Sequence, residues 1–222
     1  MTLFPFQMGV VNAKNYITPG ELKYKTINQY TYVDNMPVGC WAVRDLNLLD
    51  RLKNQDYNFD VIDDNHRTPI HYAMDYPDAF QFLLQTNVPL DRMDLEGNTP
   101  LHYAVMSSHE ICIKPLMGSI CVKNYAGYSP FHVAVKESKY EMVCCMLNHV
   151  KDSLFLKKTY LVNEFMDANQ MSPVHHAICN RDFKMLGFLK DFIEMNKIQK
   201  CLTEYGKDNY TNAVEVIRFL SE

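Results

Sequence analysis

Four times the chain writes the same six-residue phrase: a hydroxyl residue, a proline, an apolar residue, a histidine, any residue, an alanine. The copies are Thr68-Pro-Ile-His-Tyr-Ala73, Thr99-Pro-Leu-His-Tyr-Ala104, Ser129-Pro-Phe-His-Val-Ala134 and Ser172-Pro-Val-His-His-Ala177. A Thr or Ser hydroxyl can cap a helix N-terminus. Proline suits the first helical position, where its missing N–H breaks no bond. The histidine, one turn in, is close enough to reach back to the preceding turn, and alanine lets a neighbouring helix pack close. An Asp or Asn stands five residues before each hydroxyl, at Asp63, Asp94, Asn124 and Asp167. Gly97 and Gly127 supply the positive φ that a tight turn demands. His66 and Gln170 occupy that place in the other two copies, so those turns are expected to be strained or differently built, and less regular.

The hydroxyl positions are separated by 31, 30 and 43 residues. A period of this size is the mark of stacked repeats, each too small to bury its own apolar face. The long third interval implies an insertion near 148–166. Two weaker copies flank the four. Pro37-Val-Gly-Cys-Trp-Ala42 lies upstream, and Gly206 to Val216 carries Thr211 at the cap position. Residues 1–32 hold Phe4, Phe6, Tyr16, Tyr24, Tyr30 and Tyr32, an aromatic density expected of an extension folded over the first repeat. The array proper is expected to run over 33–222, as about five repeats and a truncated C-terminal cap at Ala213 to Leu220.

Helical spacing marks the expected packing stripes. Trp41, Leu46, Leu49 and Leu52 serve the first repeat, with Trp41 in the core. Phe80, Leu83 and Leu84 follow Pro77, which is expected to break the preceding helix. Pro115 falls inside the next return helix, which is therefore expected to be short or kinked, or to start there. Tyr140, Val143, Cys144 and Leu147 come next, in a helix that could continue through the insertion. Phe183, Leu186, Leu189 and Ile193 follow, in a helix expected to reach about Lys200.

A formal net charge of −4 argues against a phosphate-binding surface over the whole molecule. The seven cysteines are odd in number and show no CxxC, so they read as reduced core thiols of an intracellular protein. The N-terminus has no basic n-region, and no apolar run approaches 18 residues. His71, His102, His132 and His175 are letters of the repeat, each explained by a bond tying helix to turn. His176 and Cys179 lack the paired spacing of a zinc site. With no glycine-rich phosphate loop, no catalytic residue, cofactor or metal is expected.

The run from Asp94 through Gly97 to Thr99-Pro-Leu-His-Tyr-Ala104 resembles the signature of the ankyrin-repeat family, over about residues 33–222. The resemblance implies an all-α solenoid of helix-turn-helix units with β-turn fingers, and a non-enzymatic adaptor or inhibitor. It places protein binding on the finger tips and concave face. Carried onto this sequence, the contact residues are Leu95, Glu96, Asn98, Tyr125, Tyr128 and Met171 on the fingers, with Met106 and Lys136 at inner-helix ends. The expected partner is a protein, not nucleic acid or membrane. The chain is expected to be monomeric alone and cytoplasmic, with the nucleus left open. Two alternatives remain: a regulatory subunit that activates a catalytic partner, and an inhibitor of a Rel-type transcription factor. The latter resemblance lies in 124–134 and the irregular spacing after it. The chain departs from that branch in lacking an evident phosphodegron near its start and an acidic, proline-rich tail.

Overall fold

The computed structural model describes residues 14–23, 25, 27–150, 157–163, 165–193 and 218. The copy around Thr211, the cap at Ala213 to Leu220 (Arg218 apart), Cys201 and the middle of the insertion lie outside them.

The chain is not all-α. Three short strands form a sheet in the order β1-β2-β3, with β1 Asn15–Ile17, β2 Thr31–Val33 and β3 Met36–Pro37. β1 runs parallel to β2, with Tyr16 opposite Tyr32, and β3 returns antiparallel. The return is set by Asp34 and Asn35, at φ 50° and 62°. Two consecutive left-handed residues make the tight hairpin turn whose twist matches that of the strands, and Asp and Asn tolerate the geometry best. Ile17, Leu22, Ile27 and Val33 are buried in the same core as the first repeat.

Eleven α-helices follow among the described residues. Four pairs share one plan: α3 Pro69–Tyr72 with α4 Pro77–Leu83, α5 Pro100–Met106 with α6 Glu110–Leu116, α7 Pro130–Lys136 with α8 Tyr140–His149, and α10 Pro173–Cys179 with α11 Phe183–Leu189. α1 Val38–Trp41 and α2 Leu46–Lys53 make a shorter first pair. The first helices pack on one another as an inner row, α5 on α7 and α7 on α10, while α4, α6 and α8 pack as an outer row. One continuous core, from Ile17 to Leu189, runs between the rows.

Local chemistry explains the helix ends. Pro77 starts α4 at its first position rather than merely ending α3. Pro115 sits one residue from the end of α6, which spans only seven residues, so the carbonyl it leaves without a donor belongs to the exposed Ile111. Inner helices turn into outer ones through left-handed residues at Ser108, Ser138 and Arg181. The N–H of the next residue then bonds back to the alanine of the repeat phrase, as Lys139 does to Ala134 at 2.8 Å.

Several expected details differ. Leu46 opens α2 and is exposed, so the stripe begins at Leu48 and Leu49. Trp41 lies half-buried on the core's rim, its Nε1–H donating to Asp34 at 3.2 Å. α8 ends at His149, and the insertion carries a separate helix, α9 Lys158–Asn163, packed on α10. α11 gives way at Lys190 to a 3-10 turn and Ile193 is extended, so one helix does not run to Lys200. The Phe192 carbonyl there accepts from the buried Asn163 amide at 2.6 Å. Of the cysteines among the described residues only Cys40 and Cys112 are buried, while Cys121 and Cys179 are exposed. Burial still pushes these four thiols up, so they remain protonated.

The repeat histidine does more than tie helix to turn. In each inner helix its Nδ1 accepts the N–H of the capping residue, as His102 does from Thr99 at 3.0 Å and His71 from Thr68 at 3.0 Å. In the first three copies its Nε2–H then donates to the next repeat. His71 reaches the Asn98 carbonyl at 3.3 Å, His102 the Tyr128 carbonyl at 3.0 Å and His132 the Phe165 carbonyl at 2.9 Å. Only the neutral ring, protonated on Nε2, satisfies both ends. Burial pushes His71 and His132 down to about 4 and lowers His102.

In the unfolded chain these rings titrate near ~6.5. Between the two values the unfolded chain binds more protons than the folded one, so stability rises with pH there. The urea midpoint is therefore expected to be level above about pH 7 and to fall from about 6.5 towards 4. His71 and His132 each contribute a slope of up to about 1.4 kcal/mol per pH unit. A midpoint that stays level down to pH 4, followed by circular dichroism, would contradict the histidine tie.

Candidate protein-binding surface

Each inner helix is preceded by a five-residue turn, a finger, at 63–67, 94–98, 124–128 and 167–171. The first residue builds it. Asp63, Asp94 and Asp167 each accept two backbone N–H groups on one carboxylate oxygen, for Asp94 those of Glu96 at 2.9 Å and Asn98 at 2.8 Å. The other oxygen takes a donor from the variable position of the repeat phrase. Tyr72 donates to Asp63, Tyr103 to Asp94 at 2.7 Å, and His176 to Asp167 at 2.9 Å. The third finger breaks both halves of the rule together, having Asn124 for the acid and Val133 for the donor. Burial alone would favour the neutral acid at Asp94. The Tyr103 hydroxyl and the Asn98 and Glu96 N–H groups overcome it and hold the carboxyl below its usual range. Backbone N–H bonds likewise hold Asp167 low against its burial, helped by His176.

All four turns have the same shape. The fourth residue has φ 60° at His66, 77° at Gly97, 86° at Gly127 and 60° at Gln170. The expectation that the His66 and Gln170 fingers would be less regular is therefore corrected: they keep the geometry and carry the left-handed strain on a side chain. Glycine has another reason at the two central fingers. A Cβ on Gly97 would stand 2.7 Å from the Tyr125 nitrogen, and one on Gly127 would stand 2.3 Å from the Ala168 Cβ. Neighbouring tips are also bonded in the first three fingers: Leu95 N–H donates to Asn65 O at 3.0 Å and Tyr125 N–H to Glu96 O at 2.9 Å.

The structure separates the sequence-chosen contact residues. Leu95 and Tyr125 stand at successive tips, 53% and 75% exposed. Glu96 and Lys136 are exposed, and Met106 is partly so. Tyr128 and Met171 are half-buried on the concave side, with the Lys136 ammonium 4.1 Å from the Tyr128 ring centre. Asn98 is a correction: it is only 6% exposed, because its side chain bridges fingers, accepting from Asn124 at 2.8 Å and donating to Glu96 at 3.1 Å. Sequence reasoning passed over Arg67, whose guanidinium lies 5.4 Å above the Tyr103 ring with Nε 3.8 Å from Asp94. It also passed over exposed Ile62, Met93 and Lys123, each just before a finger's first residue. The signal was alternation, since the residues on both sides of Asp63 and Asp94 are exposed while these two are buried. Among the described residues no group of three His, Cys, Asp or Glu is placed to hold a metal.

The family description "Ankyrin repeats (3 copies)" matches residues 40–124 and 91–154, together just over half of the chain. The chain belongs to the ankyrin-repeat family. Similar curated proteins include human Rabankyrin-5, 23% identical over 179 residues, which is 77% of this chain and 14% of that protein. The mouse B-cell lymphoma 3 protein homolog is 26% identical over 139 residues, 59% of this chain and 29% of that protein. The zebrafish (Danio rerio) ankyrin repeat domain-containing protein 13C is 38% identical over 61 residues, 26% of this chain and 12% of that protein. The chain thus spans less than a third of the length of each. Ankyrin repeats are protein–protein interaction modules, generally without catalysis of their own. No helix among the described residues is long and apolar enough to cross a membrane.

The two reasons for a left-handed position predict opposite mutational signs. Gly127→Ala combines strain with a backbone clash and is expected to cost at least about 2 kcal/mol. His66→Gly relieves strain and is expected to change stability by about 1 kcal/mol or less in the favourable direction. Paired urea titrations of the two variants read both signs directly.

Proposed function

We propose that this chain is a non-enzymatic adaptor or inhibitor that holds one partner protein against its finger tips and concave face. The observation that carries this is the pair Leu95 and Tyr125. They are large apolar side chains that are mostly exposed, and their backbones are fixed by tip-to-tip hydrogen bonds. Rigid anchors of this kind lose little entropy on binding, and interface energy concentrates on such residues. Met106 and the Lys136–Tyr128 pair continue the surface into the concave groove. Half-buried Met171 borders it, and Glu96 supplies a charged rim.

His71, His102 and His132, whose charged forms burial disfavours, are occupied in holding repeats together. That favours a binding surface over a reaction centre. Activation of a catalytic partner remains compatible with the same surface. Inhibition of a Rel-type transcription factor is the narrower reading. It is favoured by the 124–134 finger and by the inserted helix α9 that follows it.

The test is affinity capture from the native cell by the wild type and by a Leu95→Ala/Tyr125→Ala variant with an unchanged melting temperature. One partner retained by the wild type and held at least about tenfold more weakly by the variant is the expected result. Equal retention by both would remove the fingers from the site.

A further inference from the structure

The carboxylates and cations of this chain are not evenly spread. Residues 44–110 hold twelve Asp or Glu and five Lys or Arg, whereas residues 111–193 hold seven Asp or Glu and ten Lys or Arg. The excess of positive charge therefore lies in the half that contains the third finger, at 124–128. Two lysines bracket that finger. Lys123 precedes it, with its ammonium 5.2 Å from the Phe165 ring centre, and Lys136 closes α7 above Tyr128. Both are exposed, and among the described residues neither has a carboxylate within 4 Å. Other cations of the finger region are paired: Lys14 with Asp64, Arg92 with Asp60 and Arg67 beside Asp94. At the tip of the same finger stands Tyr125, 75% exposed.

We propose that the segment docking on this surface is an acidic stretch of protein whose carboxylates pair with Lys123 and Lys136 on either side of an apolar residue packed on Tyr125. This rests on the reading of the fingers as the binding surface and adds the chemistry of what they bind. An ammonium held over an aromatic face is positioned in advance, with its outward N–H donors left for an anion. Charge pairs at the edge of an apolar anchor set specificity and association rate. Nucleic acid fits less well. A polyanion runs along a long stretch of surface, and the chain's net charge is −4.

A random peptide library displayed on phage and panned on the immobilised full chain tests this. The expected peptides are enriched in Asp and Glu around an apolar or aromatic residue. In fluorescence anisotropy, a synthetic copy with Gln for its acids should bind at least about tenfold more weakly. Lys123→Glu/Lys136→Glu should lose the acidic peptides, while Lys114→Glu on the outer row keeps them. Enrichment of neutral or basic peptides that still need Leu95 and Tyr125 would overturn the acidic assignment and leave the adaptor reading intact. Acidic peptides indifferent to Leu95→Ala/Tyr125→Ala would sink both. No enrichment, or tighter binding of a single-stranded RNA oligonucleotide than of any peptide, would also overturn the proposal.

Discussion

The structure depends on a neutral imidazole with one nitrogen accepting and the other donating. Helix starts leave N–H groups without partners, and a finger leaves carbonyls pointing sideways. One buried ring answers both demands. His71, His102 and His132 each close the cap of their own helix and hold a backbone carbonyl of the following repeat. A short helix such as α3 is too small to be stable alone, so a bond that joins repeats as it starts each helix couples local order to stacking. The apolar core supplies most of the driving force, and the ring sets the register in which that core closes.

The binding surface follows from the same arrangement. Because a ring holds the 94–98 and 124–128 fingers from below and their tips are bonded to neighbours, these finger backbones are left with little freedom. The apolar side chains there are kept out of the core by geometry rather than by polarity. Leu95 and Tyr125 point outward because Asp94 and Asn124 beside them point in. The construction that makes the array stable therefore also displays its contact residues.

Much of this could be read from the residues. The six-residue phrase fixed where four inner helices begin, and Pro115 foretold a short α6. The misses have physical causes. The sheet at 15–37 was hidden because its decisive signal is two residues, Asp34 and Asn35, which read as loop until their paired left-handed angles are seen. Asn98 looked like a surface residue because its neighbours are polar, yet its amide bridges two fingers. The exchange of Asp with Tyr or His for Asn124 with Val133 was visible in the aligned copies. It becomes meaningful only once the nine-residue separation is seen to close a hydrogen bond. Of the chosen contact residues, exposure separates Leu95, Glu96, Met106, Tyr125 and Lys136 from Asn98, Tyr128 and Met171, and exposure across fingers is a property of the stack.

The two kinds of finger bear on how an array like this can be rearranged. The copies share a phrase and a turn, so they look exchangeable. They are not equivalent neighbours. Where the following finger leans in, at Gly97 and Gly127, there is no room for a side chain, whereas His66 and Gln170 accommodate one. A duplication that placed the His66 copy in the middle of the stack would set a Cβ against the next backbone. One that placed a glycine copy where the His66 or the Gln170 copy stands would meet no such obstacle. Exchange of copies is therefore one-way: a glycine copy can replace a His66 or Gln170 copy, and the reverse exchange is resisted.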